Sequence, residues 1–374
     1  MTIYLIILTW SIVSGAIFCL KNIPEKKKTY LLFNFIPLAV ITAFRGENVC
    51  IDTSMYIDRY FNLASYDWDK FFYLFDYDSR TEYGFALLAK LCGVFSPDSH
   101  VLFFSVISVI TFAGVGRFYY YTSSNLWLTI VFYYASLLAF APLMTMRQEA
   151  AVAITLSFFP YLMYEDKKKY LYILGVFLGG LIHNAAFLLA ILFLLKSKNQ
   201  WGYNIYRILL ISSILIILGV IMYFGFFKIL ELYPVYYAAY NNSIQTDGSM
   251  PHAAGSLTII IRNVFLYLIP YVGILYGMKK RKYTLKETKI CYYCCLALLL
   301  TFVFNTIGYN IAIVYRLAMV FEYFTSVALT MFLAIFGRKN LFLKYFYVVM
   351  LILYFILRLN IQFQKGMMTD YTIY

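Results

Sequence analysis

The stretch Arg45-Gly-Glu-Asn-Val-Cys-Ile-Asp-Thr-Ser-Met-Tyr56 interrupts a chain that is otherwise dominated by long apolar runs. It follows directly on the second of these runs, residues 29–43, and introduces an arginine, two carboxylates and a tyrosine. An apolar run that ends in a charged stretch is typical of a membrane segment that gives way to a loop. The stretch therefore predicts a polytopic membrane protein whose second segment ends at residue 45.

The composition of the whole chain agrees with a membrane protein. Of its 374 residues, 63% are hydrophobic and 13% are charged, with a mean hydropathy of +0.73, whereas charged residues make up about 25% of a soluble domain. The net charge of +13 is concentrated in short loops between apolar runs, which is the bias that orients membrane proteins. Nucleic acid is therefore not an expected partner. The first residues lack the features of a cleaved signal peptide, so the first segment is expected to remain as a helix.

About twelve apolar runs are long enough to form membrane helices, some of them short or broken. They predict an all-α fold. The runs lie at 3–20, 29–43, 100–117, 125–142, 148–164, 169–182, 184–196, 207–225, 257–277, 290–309, 316–336 and 341–358.

The positive charges between the runs define one topology. Basic clusters at 21–28, 167–169, 196–207, 279–282 and 338–339 belong in cytoplasmic loops, and a single alternation satisfies all of them, with both termini outside. The run Tyr83–Phe95 is not counted as a crossing, because about 13 residues that include Lys90 are too few and too polar to span. We predict a re-entrant or interfacial helix there.

The chain 1–374 is predicted to form a single membrane domain, since no linker or repeat divides it. The loops 44–99 and 226–256 fall on the outside. The first mixes aromatic and charged residues over 56–75, which suits either an amphipathic helix on the membrane surface or a solvated loop with interfacial anchors. The cluster Cys291, Cys294 and Cys295 is predicted to consist of packing residues, because no histidine or second cysteine pair completes a metal site.

Charged and titratable residues near the ends of the apolar runs fall on the external side of this topology. Such residues are costly near a membrane unless they are paired, hydrated or functional, so they are the first candidates for a site. An external basin lined by arginines and carboxylates is expected to bind a polar, phosphate-bearing ligand. Its members are Arg45, Asp52, Glu82, Arg147, Glu149, His183, Arg262, Arg316 and Glu322.

Arg147, Arg262 and Arg316 are the candidate phosphate ligands. Arg147 lies where a helix is predicted to begin, so that its guanidinium and the helix dipole both favour an anion. Three arginines can neutralise a diphosphate without a metal ion. The alternative for Arg147 is a salt bridge with Glu149 or Glu82.

Asp52, Glu82 and His183 are the candidate proton acceptors. A carboxylate in apolar surroundings becomes a better base, and either one can then accept the proton of a sugar hydroxyl. The simpler interpretation is that each carboxylate pairs with Arg45 or Arg147. His183 marks a predicted tight turn between two short helices, and histidine titrates near neutral pH, although a lone histidine is commonly structural.

Several short motifs resemble the EpsG/Wzy-type polysaccharide polymerase family. Arg45-Gly followed by Asp52-Thr-x-x-Tyr56 is similar to the family's Arg and Asp-Thr-x-x-Tyr pattern, and Glu82-Tyr-Gly-Phe85 is similar to its Glu-x-Gly-aromatic element. The unit Arg147-Gln-x-x-Ala, His183 and Arg316 follow in the expected order.

The resemblance implies a GT-C-like glycosyltransferase of the cytoplasmic (inner) membrane that polymerises O-antigen or capsule repeat units, with its active site facing the periplasm or exterior. The implied partners are undecaprenyl-diphosphate-linked oligosaccharides as donor and acceptor, membrane lipids and a chain-length regulator, with no cofactor and no metal. The implied roles are diphosphate binding by Arg147, Arg262 and Arg316, proton acceptance by Asp52, Glu82 or His183 with Asp52 favoured, and support by Arg45 and Tyr56.

Other classes remain open at this point. A lipid-linked oligosaccharide flippase or other transporter would carry functional charges through the midplane and on both faces, whereas the charges here collect outside. A membrane O-acyltransferase would use His183 as its base, and an O-antigen ligase would share the donor chemistry. Hydrolases, metalloproteases and nucleotide-binding proteins have no support, because none of their motifs occurs.

Overall fold

The computed structural model describes residues 2–19, 24–50, 52–69, 71, 82–164, 168–196, 203–231, 262–307, 312–336 and 341–364. All regular elements in these ranges are helical, which confirms the all-α prediction. The chain divides into two compact units, unit 1 (Met1–Lys196 with Asn340–Tyr374) and unit 2 (Ser197–Lys339).

The helices of the two units follow one another along the chain. Unit 1 contains α1 (Thr2–Cys19), α2 (Pro24–Ala43), α3 (Thr53–Ser65), α4 (Tyr83–Phe95), α5 (Val101–Thr122), α6 (Leu126–Ala135), α7 (Ala141–Met144), α8 (Met146–Ser157), α9 (Phe159–Tyr164), α10 (Tyr170–Ile182) and α11 (Ala190–Leu194). Unit 2 contains α12 (Ile205–Glu231), α13 (Ile269–Lys279), α14 (Leu285–Ile307) and α15 (Ala312–Phe336), and the chain returns to unit 1 with α16 (Leu341–Gln364).

Among the described residues, five helices are long and apolar enough to cross a membrane, at Thr2–Cys19, Val101–Thr122, Leu285–Ile307, Val314–Phe336 and Tyr345–Gln364. A sixth crossing results if α6 and Leu138–Met144, which meet at 71°, form one bent span. The protein is thus a multi-pass membrane protein, but the predicted count of about twelve is not confirmed. Several other apolar runs form helices that are too short, such as α10, or carry several charges at one end, as α2 does.

Unit 1 is centred on α8, which packs against both α5 and α10. Its small residues Ala150, Ala151 and Ala153 are buried. Gly114 of α5 lies so close that a Cβ atom there would be 2.4 Å from the carbonyl oxygen of Ala153. Small residues let two helix backbones approach closely, and close packing is a main source of helix association in a membrane. The position of α8, and of the residues at its start, is therefore fixed by its neighbours.

The predicted external loop 44–99 contains a pair of packed helices, α3 and α4. Tyr56, Ile57, Tyr60 and Leu63 recur at helical spacing along α3 and are buried, which is the stripe expected of an amphipathic helix. These side chains pack in a protein core that includes Phe85 and not in a loose interfacial loop. Residues 72–81 lie outside the described part of the chain.

The charge of Lys90 in the apolar helix α4 is stabilised by hydrogen bonds. Its ammonium group donates hydrogen bonds to the carbonyl oxygens of Ala64, at 2.9 Å, and of Tyr66. These carbonyls lie at and just after the end of α3, where a cation interacts favourably with the helix dipole. The helix itself spans Tyr83–Phe95, the bounds expected from the sequence. Its re-entrant or interfacial placement stays a prediction.

Unit 2 is built on the packing of α14 against α15. Cys291, Cys294 and Cys295 are buried along α14, and all six cysteines of the chain are free, as expected of packing residues. The predicted loop 226–256 begins inside α12, which continues to Glu231, and the rest of that loop lies outside the described residues.

Substitution of Gly114 by Ala should destabilise the protein by about 1–3 kcal/mol, because the added methyl group meets backbone atoms of Ala153 that cannot move aside. Thermal unfolding of the purified protein in detergent measures the change. Gly116→Ala is the matched control on the same helix, since its methyl group would meet two ring atoms of Phe35 at 3.0 Å and a ring can shift. Equal destabilisation by the two variants would contradict the close backbone contact.

Candidate active site

Arg147 and Glu82 form an ion pair at the centre of the charged cluster of unit 1. Nη1 of Arg147 donates to Oε2 of Glu82 at 2.7 Å, and the two side chains are only 16% and 11% exposed. Hydrogen bonds between charged groups at this distance are among the strongest in proteins. The salt bridge considered for Arg147 is therefore formed with Glu82, while Glu149 accepts a hydrogen bond from Oγ1 of Thr145 at 3.0 Å.

The pair is held by the starts of two helices. Glu82 is the residue that precedes α4, and Arg147 is the second residue of α8. Helix α4 can approach the end of α10 because residue 84 is a glycine, at which a Cβ atom would lie 2.8 Å from the carbonyl oxygen of Leu181. Helix N-termini carry a partial positive charge, so both helix starts favour an anion.

His183 lies beside this pair. It ends α10 and begins the 3-10 turn Asn184–Leu189, which confirms the predicted turn between two short helices. Its Nδ1 accepts a hydrogen bond from the backbone N–H of Ala185 at 3.1 Å, so the proton of the neutral ring lies on Nε2. That nitrogen is 3.9 Å from Oε1 of Glu82. His183 therefore turns a donor toward the carboxylate.

Two aromatic rings lie next to the guanidinium group of Arg147. Its Cζ atom is 5.3 Å from the ring centre of Phe85 and 5.9 Å from that of Tyr56, both within the range of cation–π attraction. The Nε atom of Arg147 has no hydrogen-bond partner among the residues that the structure describes. Arg147 thus keeps a donor for a second anion while it is paired with Glu82.

Arg45 is fully buried and joins three elements. Its Nη1 donates to the carbonyl oxygen of Thr42 at 2.6 Å, its Nε donates to Oγ1 of Thr53 at 3.4 Å, and its Nη2 lies 3.5 Å from the sulfur of Met146. Its Cζ atom is 4.3 Å from the ring centre of Phe104. Arg45 thereby connects the end of α2 and the start of α3 with the residue before Arg147, an arrangement consistent with its predicted supporting role.

The charge of Arg45 affects the pKa values of two nearby groups, His100 and Cys50. Burial, and secondly Arg45, lower the pKa of His100 to about 4, so this histidine is neutral at physiological pH. Burial raises the pKa of the Cys50 thiol to about 12, with Arg45 opposing the shift and Asp52 adding to it. Neither group is suited to exchange protons near neutral pH.

Asp52 lies at the N-cap of α3, one turn before Tyr56, and its side chain makes no capping hydrogen bond. Within the described ranges, no hydrogen bond or ion pair joins its carboxylate to Glu82, Arg147 or His183. The structure therefore brings Tyr56, Glu82, Arg147 and His183 together and leaves Asp52 outside their contacts.

Arg262 and Arg316 belong to unit 2. Arg262 is buried, with Nη1 donating to the Tyr315 hydroxyl at 3.0 Å and Nη2 donating to Oδ1 of Asn305 at 2.8 Å. Arg316 follows Tyr315 in the chain and is exposed. Binding of one diphosphate by both of them together with Arg147 stays a prediction.

Several residues of these contacts were not singled out by the sequence. Thr53 and Phe85 lie inside the motifs quoted above, so those motifs could have pointed to them. Met146 and Asn305 carry no local signal, because their arginine partners are 101 and 43 residues away in the chain. Such contacts become visible only when the segments are packed.

Substitution of Arg147 by Gln should destabilise the protein by about 1–3 kcal/mol, because Glu82 then keeps a largely buried charge without its partner. The double variant Arg147→Gln with Glu82→Gln should cost less than the sum of the two single changes. Denaturant unfolding of the purified variants gives this coupling energy. Arg316→Gln is the control, expected to change stability by no more than about 0.5 kcal/mol because the side chain is exposed. Strictly additive costs at Arg147 and Glu82 would contradict the ion pair.

Comparison with known families covers almost the whole chain. The model of the EpsG family matches residues 28–373, a range that includes every site residue discussed above. No curated protein and no solved structure matches the chain. The family match extends the likeness of the short motifs over a range that begins within α2 and includes α16, and the chain therefore belongs to the EpsG family of Wzy/EpsG-type polymerases.

Proposed function

We propose that the protein is a polysaccharide polymerase that joins undecaprenyl-diphosphate-linked oligosaccharide repeat units at the external face of the cytoplasmic membrane. Membership of the EpsG family fits a polysaccharide polymerase role. The observation that carries the proposal is the contact of Arg147 with Glu82 beside His183. This contact puts an anion-binding side chain, Arg147, beside a carboxylate that can accept a proton, Glu82, at a partly exposed position.

The proposed reaction transfers a glycan from a lipid diphosphate to a hydroxyl group of the next repeat unit. The bond between the anomeric carbon and the diphosphate oxygen breaks, and a bond between that carbon and the acceptor oxygen forms. The diphosphate leaves with the bonding electrons, so negative charge develops on its oxygen, and the acceptor hydroxyl loses its proton. Catalysis therefore needs donors at the leaving oxygen and a base at the hydroxyl.

Arg147 is the proposed ligand of the diphosphate. Its guanidinium has the planar donor arrangement that suits phosphate oxygens, its Nε is without a partner in the described structure, and it lies at the start of α8. An incoming phosphate competes with Glu82 for the same fork of donors. Binding of the lipid-diphosphate substrate then weakens the hydrogen bond between Arg147 and the Glu82 carboxylate.

Glu82 is the proposed base. In the structure its Oε2 is occupied by Arg147, so this oxygen becomes available to the acceptor hydroxyl when the diphosphate takes over the guanidinium. His183 presents N–H at Nε2 and not a lone pair, because Nδ1 is occupied by Ala185. We therefore assign His183 a hydrogen-bond donor role toward Glu82 or a phosphate oxygen. Asp52 remains the second candidate base.

The proposed partners are the donor and acceptor lipids, the surrounding membrane lipids and a chain-length regulator. Apolar side chains are exposed along α12 and α16, and surfaces of this kind suit contact with acyl and polyprenyl chains.

The substitution Arg147→Ala in the native host should collapse the ladder of surface glycans to single repeat units, because the leaving diphosphate loses its main ligand. Gel electrophoresis of the extracted glycan measures the ladder. Arg117→Ala is a matched control, because Arg117, like Arg147, lies against two aromatic rings. Its Cζ atom is 5.3 Å from the ring centre of Tyr121 and 5.5 Å from that of Tyr161. This control should keep a normal ladder.

An unchanged ladder in Arg147→Ala would overturn the assignment of this residue. A strain that loses surface glycan entirely, with no single repeat units, would instead favour the lipid-linked oligosaccharide flippase.

A cysteine introduced as Asp69→Cys should react with a membrane-impermeant maleimide added to intact spheroplasts, because the proposed topology puts the loop 44–99 outside. The variant is made with Cys19→Ser, since the other native cysteines are buried. Lys168→Cys, in a predicted cytoplasmic loop, should be labelled only after lysis. Protection of position 69 together with labelling of position 168 would reverse the proposed orientation.

A further inference from the structure

A second group of polar side chains lies inside unit 2, around Arg262. The arginine donates to Asn305 and Tyr315 at 2.8 and 3.0 Å, and its Cζ atom is 5.2 Å from the Tyr315 ring centre. Asn305 is 1% exposed and Arg262 is 6% exposed. Asn305 lies near the end of α14 and Tyr315 near the start of α15. The group is therefore built where three segments meet within unit 2.

Three buried polar atoms of this group have no hydrogen-bond partner in the described part of the chain. They are Nδ2 of Asn305, Oδ1 of Asn263, the residue after Arg262, and Nε of Arg262 itself. Because a guanidinium offers only donors, Arg262 requires Oδ1 of Asn305 to face it, and the amide nitrogen must then point elsewhere. Leaving such groups unsatisfied is unfavourable, so unpaired amides in a folded protein call for an explanation.

The backbone at this place is also unusual. Asn263 begins a π-helix that spans Asn263–Leu268. Such helices are rare in proteins, and those that do occur are often found at functional sites. At its other end, the hydroxyl of Tyr267 donates to Oε1 of Glu322 at 2.9 Å. Glu322 follows Tyr315 by seven residues, or about 10 Å along α15. Polar side chains therefore contact both ends of this π-helix.

We propose that this group is a sugar-binding site, with Asn305 and Asn263 contacting a hydroxyl or acetamido group of the lipid-linked repeat unit. This inference rests on the proposed function, because it assumes a glycan substrate. Among these atoms, Oδ1 of Asn263 is an acceptor, whereas Nδ2 of Asn305 and Nε of Arg262 are donors. Hydroxyl and acetamido groups both accept and donate and so suit a mixed set of this kind, whereas a diphosphate oxygen only accepts.

The other members of the group support this role. Tyr315 contributes a ring and a hydroxyl, and aromatic faces stack on the apolar faces of sugars. Glu322 contributes a carboxylate, which accepts from hydroxyl groups and repels phosphate. Arg262 acts as a positioning residue in this arrangement, because its hydrogen bond sets the orientation of the Asn305 amide.

The test uses binding of a glycan that carries neither lipid nor phosphate. Repeat units are extracted from a polymerase-deletion strain, released with mild acid, dephosphorylated and radiolabelled. Equilibrium dialysis against the full-length protein in nanodiscs gives the dissociation constant. Asn305→Asp keeps an oxygen for Arg262 and replaces the donor by a second, negatively charged oxygen. Asn263→Leu removes the acceptor and the donor of that amide. Each should weaken binding about tenfold, the effect of losing a hydrogen bond to a buried polar group.

Two variants serve as controls, and thermal unfolding shows that all variants are folded. Thr325→Val removes another buried hydroxyl that lacks a partner in the described structure, further along α15, and should leave the dissociation constant unchanged. Arg117→Ala, in unit 1, should also leave it unchanged, because this arginine belongs to neither proposed site.

Unchanged binding by folded Asn305→Asp and Asn263→Leu would overturn the sugar site and would mean that an internal water satisfies the amides. Absence of binding by the unaltered protein would overturn it as well. Failure of the unaltered protein to polymerise the intact lipid-diphosphate-linked repeat units, taken before the acid release, with binding of the free glycan retained, would instead remove the proposed polymerase function and leave the sugar site standing.

Discussion

The ion pair between Arg147 and Glu82 is the contact on which the charged cluster of unit 1 depends. It joins the start of α8 to the start of α4 across 65 residues of chain, and both helices are held by close backbone contacts, at Gly114 and at Gly84. A charge that is mostly withdrawn from water needs a partner of opposite sign or several donors and acceptors. The packing of small residues and the pairing of charges therefore stabilise the same arrangement.

Several cations in the described part of the chain make hydrogen bonds that hold segments together. Arg45, Lys90 and Arg262 donate hydrogen bonds to neutral oxygens of carbonyl, hydroxyl or amide groups, contacts that lock neighbouring segments together. Arg147 pairs with a carboxylate, remains partly exposed and keeps an unpaired Nε in the described structure. Its partial exposure and its unpaired Nε are the physical reasons for placing phosphate chemistry at Arg147, whereas the full burial of Arg45 suits a support.

The two proposals divide substrate recognition between two kinds of site. Arg147 at a helix start suits the charged diphosphate, since guanidinium donors and helix dipole both favour anions. The Asn263 and Asn305 amides, one offering an acceptor and the other a donor, suit the neutral sugar. A polymerase needs both kinds of recognition, because each lipid-linked repeat unit carries a charged and an uncharged part.

The sequence by itself determined the class of protein and much of the local structure. Hydropathy and charge predicted a helical multi-pass membrane protein, the run Tyr83–Phe95 predicted a helix with the bounds of α4, and Gly-Gly-Leu-Ile-His183 predicted the turn after α10. These features depend on residues close together in the chain. Periodicity and composition are enough to reveal them.

Only the tertiary structure decided which charges meet. The sequence left Arg147 with two possible partners and favoured Asp52 as the base, whereas the fold pairs Arg147 with Glu82 and brings His183 to 3.9 Å from the same carboxylate. It also embedded α3 in a protein core and brought Asn305 and Tyr315 to Arg262. The physical reason is that these contacts join segments far apart in the chain. Their geometry depends on how closely helices approach, which local sequence does not specify.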